Sequence, residues 1–412
     1  MGHHRAAILV AVASVVAATL LGPVPVPATA AAPADTLTAV QVVLDARADA
    51  VRRHDRPAFL ATVDPEAPPG FAATQARSFD GLASLPLASF TLQARVDDTG
   101  DLSRAAAGRY GGAPVFLPET RQRYRFAGYD DRDAVAHQWL TFVQRAGRWY
   151  VGGDDDLEAL GLDTDRGLWD LGPVRTRTSE HVLVLSRPEQ AERAANLADL
   201  AEQAVARLGQ VWDQPWSGRI PVVLPPSVPE LERILQSTVD LDKFVAFAVY
   251  GFSEDRDYTA TAPRIFIQDD RLARYPPATQ VETLVHELVH AAASGLAGPF
   301  IPTWIHEGLA DWAAAGRPPA SRRPPGSDGR LPRAHELTTG SRASIATAYR
   351  ESATAVALLA GRSGAAAPSS LFRVLGTTKV APGNTDHQVD VALRQITGLG
   401  FEDFERTWAA RR

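Results

Sequence analysis

The spacing of apolar residues predicts one helix and then several strands in the N-terminal third of the chain. At residues 37–54 apolar side chains recur at helical spacing, and this stripe comprises Val40, Val43, Leu44, Ala48 and Val51. Pro57 ends this helix or begins a short second one carrying Phe59. Strand-like segments follow at residues 90–96, 121–126, 135–143 and 148–151, and Ala146-Gly147 predicts a hairpin turn.

A second pattern begins at residue 181, after an acidic, glycine-containing stretch at residues 154–165 that we interpret as a linker. Here the segments alternate: strands are predicted at 181–185, 219–224, 244–250 and 264–267, and helices at 189–211 and 231–235. A proline-rich segment, 316–332, predicts a surface loop. Four further helical patterns predict a C-terminal helical subdomain, at 353–359, 369–375, 388–396 and 401–408. The predicted fold class is therefore α+β.

The first 30 residues have the pattern of an export signal. Arg5 precedes an apolar stretch at residues 6–21, and Ala28-Thr29-Ala30 forms a small-x-small cleavage pattern. The stretch is shorter than the roughly 20 apolar residues that a bilayer span needs. We therefore predict a signal peptide over residues 1–30 and a secreted, extracellular protein without stable membrane insertion. The alternative is an uncleaved N-terminal anchor with the chain facing outward.

Composition limits the chemistry that this chain of 412 residues can use. The formal net charge is −6 and no strongly basic block is present, which makes nucleic acid an unsuitable partner. There is no cysteine, so disulfides, thiolate metal ligands and a cysteine nucleophile are all excluded. Any metal site must therefore use histidine, aspartate and glutamate, ligands that are more usual in catalytic zinc sites than in structural ones.

One helical segment, VETLVHELVH at residues 281–290, has the residues of a metal site. His286 and His290 are four positions apart, so they project from the same side of the helix. This spacing lets two imidazole nitrogens reach one ion at about 2.0–2.1 Å. Glu287 lies beside such an ion without having to bind it, and it can take a proton from the water that the metal activates.

The alternative interpretation is a chance match. A His-Glu-x-x-His string arises on the order of once in a hundred chains of this length, and a single buried histidine is usually a hydrogen-bonded core residue. Two histidines flanking a buried glutamate are harder to explain in this way, because an unpaired carboxylate on an apolar helix is costly. A second phrase, WIHEGLADW at residues 304–312, is also predicted to be helical.

The first phrase followed about twenty residues later by Glu-Gly-x-Ala resembles the gluzincins of the peptidase MA clan. This resemblance implies a zincin-like metallopeptidase domain over residues 172–412, with Zn²⁺ as cofactor and Glu307 as third metal ligand. It also implies that Asp311 accepts a hydrogen bond from a zinc-bound histidine. The phrase ATAYRES resembles the helix opening of similar peptidases. Its Tyr349 is a candidate donor to the oxyanion, and ordinary packing is an equal alternative.

Three further expectations accompany this resemblance. The strand at 264–267 corresponds to the clan's edge strand, which pairs with extended substrate; a core strand is the alternative. Gly308 is expected to let the two metal-binding helices approach closely. His306 precedes Glu307, so it points to a different side of its helix and is not expected to be a ligand.

Residues 36–155 resemble the cone-shaped fold of the nuclear-transport-factor and SnoaL-like superfamily, in element order and in the closing phrase GRWYVGGDD. The predicted architecture is thus an accessory domain of one helix and a curved antiparallel sheet, followed by the zincin-like domain.

The predicted function is a secreted zinc-dependent peptidase that acts on peptides or proteins, with Glu287 as general base. The aminopeptidase phrase Gly-x-Met-Glu-Asn is absent, which favours an endopeptidase. Two alternatives stay open: a catalytically inactive zinc-binding scaffold, and a ligand-binding module centred on the cone. The oligomeric state does not follow from the sequence.

Overall fold

The computed structural model describes residues 34–95, 108–237, 240–252, 260–296, 301–318, 322–377 and 385–411. The predicted signal peptide lies outside these residues. Within them, no helix combines the length and apolarity that a membrane crossing requires. Helices alternate with antiparallel and mixed sheets, which agrees with the predicted α+β class. The proposed boundaries at 36–155 and 172–412 stay predictions.

In the described residues, the N-terminal region has three α-helices before its first strand, and two antiparallel sheets. The helices are α1 (Ala34–Arg52), α2 (Arg56–Leu60) and α3 (Pro69–Ala83). One sheet has the order β1-β3-β4 and the other β2-β5-β6. Their strands are β1 (Leu87–Arg95), β2 (Val115–Phe116), β3 (Glu119–Phe126), β4 (Ala134–Trp139), β5 (Thr141–Arg145) and β6 (Arg148–Gly153). Helix α1 buries the predicted apolar stripe against the core, which confirms the first helix; α2 confirms the second.

Two features of this region differ from the predictions. The single strand expected at residues 135–143 is two strands in different sheets, because the chain leaves β4 at Leu140 and enters β5. Helix α3 was not predicted, since Pro68-Pro69 and Gly70 at its start are residues typical of a turn. The hairpin turn is confirmed: Ala146 and Gly147 have φ of 46° and 80°, as a tight turn between antiparallel strands requires.

The stretch interpreted as a linker is fixed to the N-terminal region. The backbone N–H of Trp139 donates to Thr164 Oγ1 at 3.1 Å, and the N–H of Asp165 donates to the carbonyl of His137 at 2.8 Å. These bonds satisfy the edge of β4. The short helix α4 (Leu168–Leu171) then packs on α3. The predicted linker is thus hydrogen-bonded to β4, and its role as a boundary between domains stays a prediction.

A five-stranded mixed sheet with the order β10-β11-β9-β8-β7 forms the core of the C-terminal region. Strands β8, β9 and β11 are parallel to one another, and β7 and β10 are antiparallel edge strands. The strands are β7 (Arg175–Thr178), β8 (Val182–Ser186), β9 (Ile220–Leu224), β10 (Ala246–Phe252) and β11 (Ala260–Ile267). All side chains of β8 and β9 are buried, which is typical of parallel strands covered on both faces.

Nine helices accompany this sheet within the described residues. They are α5 (Ala191–Leu208), α6 (Val228–Leu235), α7 (Asp269–Leu272), α8 (Pro277–Ala293), α9 (Thr303–Ala314), α10 (Arg342–Ser363), α11 (Ala367–Thr377), α12 (Thr385–Thr397) and α13 (Phe401–Ala409). The four predicted C-terminal helices are all present, although α10 begins eleven residues earlier than expected, at Arg342 instead of 353. Residues 316–318 and 322–332 of the predicted loop contain no helix or strand.

The segment 264–267 is not an edge strand. It belongs to β11, which is hydrogen-bonded to β10 on one side and to β9 on the other. The alternative interpretation, a core strand, is therefore the correct one. Strand β10 lies at the edge of the sheet instead.

A β-bulge interrupts the pairing of β10 with β11. Val249 pairs with Arg264 and Gly251 pairs with Thr261, so that Tyr250 alone lies opposite two residues, Ala262 and Pro263. Ala262 has a φ of 49°, a left-handed conformation that costs a residue with a Cβ about 1–2 kcal/mol. Bulges of this kind increase the local twist and redirect side chains.

The contact between α3 and α4 generates a prediction about stability. A Cβ added at Gly81 would lie 2.7 Å from both Cβ and O of Trp169, a residue of α4. We expect Gly81→Ala to lower the free energy of unfolding by about 1–3 kcal/mol, the usual cost of overpacking, and to lower Tm accordingly. Gly70→Ala in the same helix is the matched control, because nothing lies within 4 Å of its added Cβ. Equal Tm values for the two variants would contradict the close contact.

Candidate metal centre

Helices α8 and α9 carry the metal phrases and are buried on most of their faces. Helix α8 begins with Pro277, whose fixed φ suits the first helical turn, and it packs against α5, α9 and β10. Helix α9 is held from the C-terminal side: Trp304 stacks on Phe404 of α13 with ring centroids 6.2 Å apart. The two predicted helices are thus confirmed, and they are adjacent.

Three side chains of these helices converge. The Nε2 atoms of His286 and His290 are 3.1 Å apart, and they lie 3.3 and 3.4 Å from Glu307 Oε2. The side chains of His286, His290 and Glu307 are 0, 2 and 1% exposed. Within the described residues this is the only group of histidine and acidic side chains arranged to hold a metal ion.

The geometry and chemistry of this donor set fit a cation. Ligand atoms placed tetrahedrally at about 2.0–2.1 Å from one ion lie roughly 3.3–3.4 Å from each other, close to the distances observed here. Two imidazole lone pairs and a carboxylate oxygen this near to one another repel unless a positive charge lies between them. The triad can therefore hold a metal ion, and nitrogen and oxygen donors of this kind suit Zn²⁺ among several divalent metals.

Asp311 lies where the resemblance implies. Its Oδ1 is 2.7 Å from Nδ1 of His286. When the ring is neutral and its Nδ1–H donates to this carboxylate, Nε2 is left as the acceptor nitrogen that faces the triad. The bond joins α9 to α8 one helical turn beyond Glu307. It holds both the tautomer and the ring orientation of His286.

The charges of the triad depend on each other. Burial alone would lower the pKa of His286, but the carboxylates of Asp311 and Glu307 outweigh it and raise this pKa to about 10. Burial alone would raise the pKa of Glu307, but His290 and His286 lower it to about 2. Both directions have one cause: the buried carboxylates are stabilised only when positive charge is present beside them.

Glu287 is the neighbouring buried acid. It is 0% exposed, no described side chain bonds to either carboxylate oxygen, and its hydrogen-bonding neighbour is the backbone of Ala248 in β10. Burial raises its pKa to about 8; Glu307 adds to the rise, whereas His286 and the backbone of Ala248 in β10 oppose it. A carboxyl group with a pKa near neutrality can exchange a proton readily with a reacting group.

Tyr349 of α10 borders the same cluster. Its ring centroid is 6.2 Å from that of His286, and its buried hydroxyl lies beside the carboxylate of Glu307. Burial raises the pKa of Tyr349 well above its usual range, and the Glu307 carboxylate adds to the rise. The phenol therefore stays protonated and is available as a hydrogen-bond donor.

Gly308 lets Tyr349 lie beside the triad, but the helix that Gly308 contacts is not the one expected from the sequence. A Cβ at Gly308 would lie 2.5 Å from the backbone oxygen of Ser352 in α10. The glycine thus permits the close approach of α9 to α10, not of α9 to the histidine helix α8. Since Tyr349 lies nearly one turn before Ser352, this approach sets the tyrosine beside the metal centre.

His306 is close to the triad but does not belong to it. Its ring lies 6.3 Å from that of His290 and meets Phe372 edge-on at 4.7 Å. Burial and the neighbouring His290 lower the pKa of His306 to about 3, so its imidazole is neutral. The expectation from helix geometry, that His306 is not a ligand, agrees with the candidate triad.

Sequence reasoning missed the contribution of edge strand β10. Ala248 lies against Glu287, and Tyr250 is close enough to Glu307 that its pKa, raised mainly by burial, is raised further by that carboxylate. The only signal was a phenol in an otherwise apolar strand sequence. The sequence of β10 does not show which helix the strand will pack against.

A cavity of about 770 Å³ lies elsewhere, between the N-terminal and C-terminal regions. Phe71 and Thr74 of α3 line one side, and Arg233 and Gln236 lie on another. Some of its charged lining residues pair with one another: Arg166 contacts Asp154 at 2.6 Å, and Arg109 contacts Asp155 at 2.6 Å. The cavity is large enough for a ligand and is also lined by Glu158, Asp163, Asp170 and Arg233.

Comparison of the chain with protein-family models, with curated proteins and with solved structures gives no significant match.

The Asp311–His286 bond generates a prediction about metal affinity. We expect Asp311→Asn to weaken zinc binding about 10- to 100-fold, because the amide no longer holds the His286 ring and its charge as the carboxylate does. The Kd is measured by competition with a chromophoric chelator. Glu282→Gln is the matched control, since this half-exposed acid lies on the same helix as His286 and has only a weak pairing with Arg207 at 3.7 Å. An unchanged Kd in the Asp311 variant would refute the orienting role.

Proposed function

We propose that this protein is an exported zinc-dependent peptidase of the gluzincin type, in which an N-terminal SnoaL-like domain precedes the zincin-like domain. The metal ligands are His286, His290 and Glu307, and Asp311 orients His286. Glu287 is the general base, and Tyr349 stabilises the oxyanion. The substrate is a peptide or protein, cleaved at internal bonds.

The observation that carries this proposal is the position of a buried carboxylate, bonded to no described side chain, beside the buried triad. The triad alone would support metal binding. Glu287 has only the backbone of Ala248 as a hydrogen-bonding neighbour, and no described side chain neutralises its charge. Keeping such a group in a core is costly unless it acts on something bound beside it.

The residues divide the work of peptide hydrolysis between them. When bound, zinc supplies Lewis acidity, which makes a water molecule more acidic and a carbonyl more electrophilic. Glu287 removes a proton from the attacking water and later delivers it to the leaving amine, a task for which it lies beside the triad without being one of its three donors. Tyr349 donates its hydroxyl hydrogen to the oxygen on which negative charge develops. Asp311 keeps the His286 ring from turning.

The two rival functions have less support. A zinc-binding scaffold does not need Glu287, because that residue is not among the three donors. A ligand-binding role for the N-terminal region would place the ligand in the cavity lined by Arg233 and Gln236, and this site contains no group of histidine and acidic side chains arranged to hold a metal ion within the described residues. Both rivals stay hypotheses that the following experiments can favour.

The role of Glu287 generates a prediction about activity. We expect Glu287→Gln to lower kcat about 10²- to 10⁴-fold, because the amide cannot accept the proton of the attacking water. Activity is measured with a mixed library of internally quenched fluorescent peptides, with and without a chelator. The bound metal is expected to remain, since Glu287 is not a donor of the triad.

Glu282→Gln on the same helix again serves as control and should cleave at the wild-type rate. Cleavage by Glu287→Gln at that rate would refute the general-base role. A wild-type protein that binds zinc but cleaves no peptide in the library would favour the scaffold.

The triad also generates a prediction about metal content. We expect about one zinc per chain after gentle purification, and a large loss of metal in His290→Ala, because removal of one of three donors leaves an incomplete tetrahedral site. Metal is quantified by elemental analysis of the folded protein. His387→Ala, a histidine for which the structure shows no partner in the triad, should keep the wild-type zinc content. Equal zinc in both variants would place the metal elsewhere.

A further inference from the structure

The β10–β11 bulge lies next to the candidate metal centre. Strand β10 packs against α8, the helix that carries Glu287. On β10, Ala248 lies against Glu287, and Tyr250, the residue opposite the bulge, is 4% exposed and close to Glu307. The position of β10 therefore determines what borders the general base and the third ligand. Bulges are frequent beside active sites, where they redirect a side chain.

The bulge contains backbone strain that other contacts must maintain. Ala262 holds a left-handed φ of 49° that favours glycine, and the following Pro263 has no N–H to donate to the sheet. Strained residues persist only where their surroundings leave them no alternative conformation. The contacts that hold this bulge therefore also determine the structure of the neighbouring candidate site.

Arg264, the next residue, forms a buried ion pair with Asp130 of the N-terminal region. Its Nη1 and Nη2 donate to the two oxygens of Asp130 at 2.5 and 2.7 Å, and Nη1 also donates to the carbonyl of Pro263 at 3.0 Å. The side chains of Arg264 and Asp130 are 7 and 0% exposed. The guanidinium carbon lies 4.7 Å from the ring centroid of Phe126. A two-pronged, buried ion pair of this type defines the position of the backbone that carries it.

Asp130 is itself held firmly. It lies in the turn between β3 and β4, and its Oδ2 accepts the backbone N–H of Phe126 at 2.7 Å. The same turn contacts the C-terminal sheet twice more: the Tyr129 hydroxyl donates to the carbonyl of Ser179 at 3.1 Å, and Arg219 donates to the carbonyl of Gly128 at 2.8 Å. These contacts therefore join the β3–β4 turn of the N-terminal region to the C-terminal region.

We infer that the N-terminal region helps to position the groups of the proposed peptidase site. Asp130 and Arg264 are positioning residues that hold the strained bulge. Through this bulge they keep Ala248 and Tyr250 of β10 beside Glu287 and Glu307. This inference rests on the proposed function for its catalytic consequence. It gives the N-terminal region a role that requires no ligand.

The test is a rescue experiment. We expect Asp130→Asn to lower kcat about tenfold, with zinc content unchanged, because a displacement of about 1 Å near reacting groups can cost up to 100-fold. Arg264→Lys keeps the charge but loses the two-pronged geometry, and should fall between this variant and the wild type. Ala262→Gly removes the strain, so the double variant Asp130→Asn/Ala262→Gly should recover kcat to within about twofold of Ala262→Gly alone.

Asp131→Asn, a change at the exposed neighbour of Asp130, is the matched control and should behave as wild type. All rates are measured with the best-cleaved peptide of the quenched library, well below each variant's Tm. A wild-type kcat in Asp130→Asn, or a loss of kcat that Ala262→Gly leaves unrecovered in folded protein, would overturn the inference, because a purely stabilising contact does not depend on the strain at Ala262.

Amide hydrogen exchange separates this inference from the proposed function. Residues 246–252 should exchange faster in Asp130→Asn than in the wild type, and adding Ala262→Gly should restore slow exchange. This readout needs no cleavage. If no peptide is cleaved but exchange follows this pattern, the positioning role holds and the peptidase proposal fails. Unchanged exchange would refute the positioning role even if peptides are cleaved.

Discussion

The convergence of three buried donor atoms is the constraint on which the rest of this structure depends. Two imidazole nitrogens and one carboxylate oxygen lie 3.1–3.4 Å apart in the core, where their repulsion and desolvation must be balanced by positive charge. The surrounding features serve this arrangement. The Asp311–His286 bond fixes one ring, and Gly308 admits α10, which brings Tyr349 to the cluster. A cation at the centre explains these features together, whereas packing alone explains each of them separately.

The N-terminal region takes part in the same construction. Its β3–β4 turn reaches the C-terminal sheet through Asp130 and Arg264, and Trp169 of α4 meets the aromatic rings of Tyr124 and Phe126 edge-on at 5.2 and 6.4 Å. The buried side chains of both regions form one continuous core. A module that only tethers a peptidase would not need to bury a charged pair and an aromatic cluster at its junction. The two regions therefore share one core, in which the β3–β4 turn of the N-terminal region supports strand β10 beside the candidate site.

Local sequence patterns predicted the secondary structure correctly where a segment's own residues determine it. Helices α8 and α9 follow from apolar periodicity, the turn at Ala146-Gly147 follows from its residue types, and the four-residue spacing places His286 and His290 on one helix face. The failures have a common origin. Strand 135–143 was expected to be continuous because nothing local shows that Leu140 leaves one sheet for another. The contacts of the acidic stretch at 154–165 were not predicted either, because its hydrogen bonds to β4 are made to residues that precede it by some twenty-five positions.

The sequence by itself determined the chemistry available to this protein: no thiol, two histidines one turn apart with a glutamate between them, and a second glutamate on a later helix. Those properties depend on residue identity and on the geometry of a single helix. Only the tertiary structure decided which groups meet. It placed Gly308 against α10, made β10 the edge strand in place of residues 264–267, and set Tyr250 beside Glu307. The physical reason is that strand order, bulges and helix contacts arise from side chains far apart in the chain, and their energies exist only once the elements are packed together.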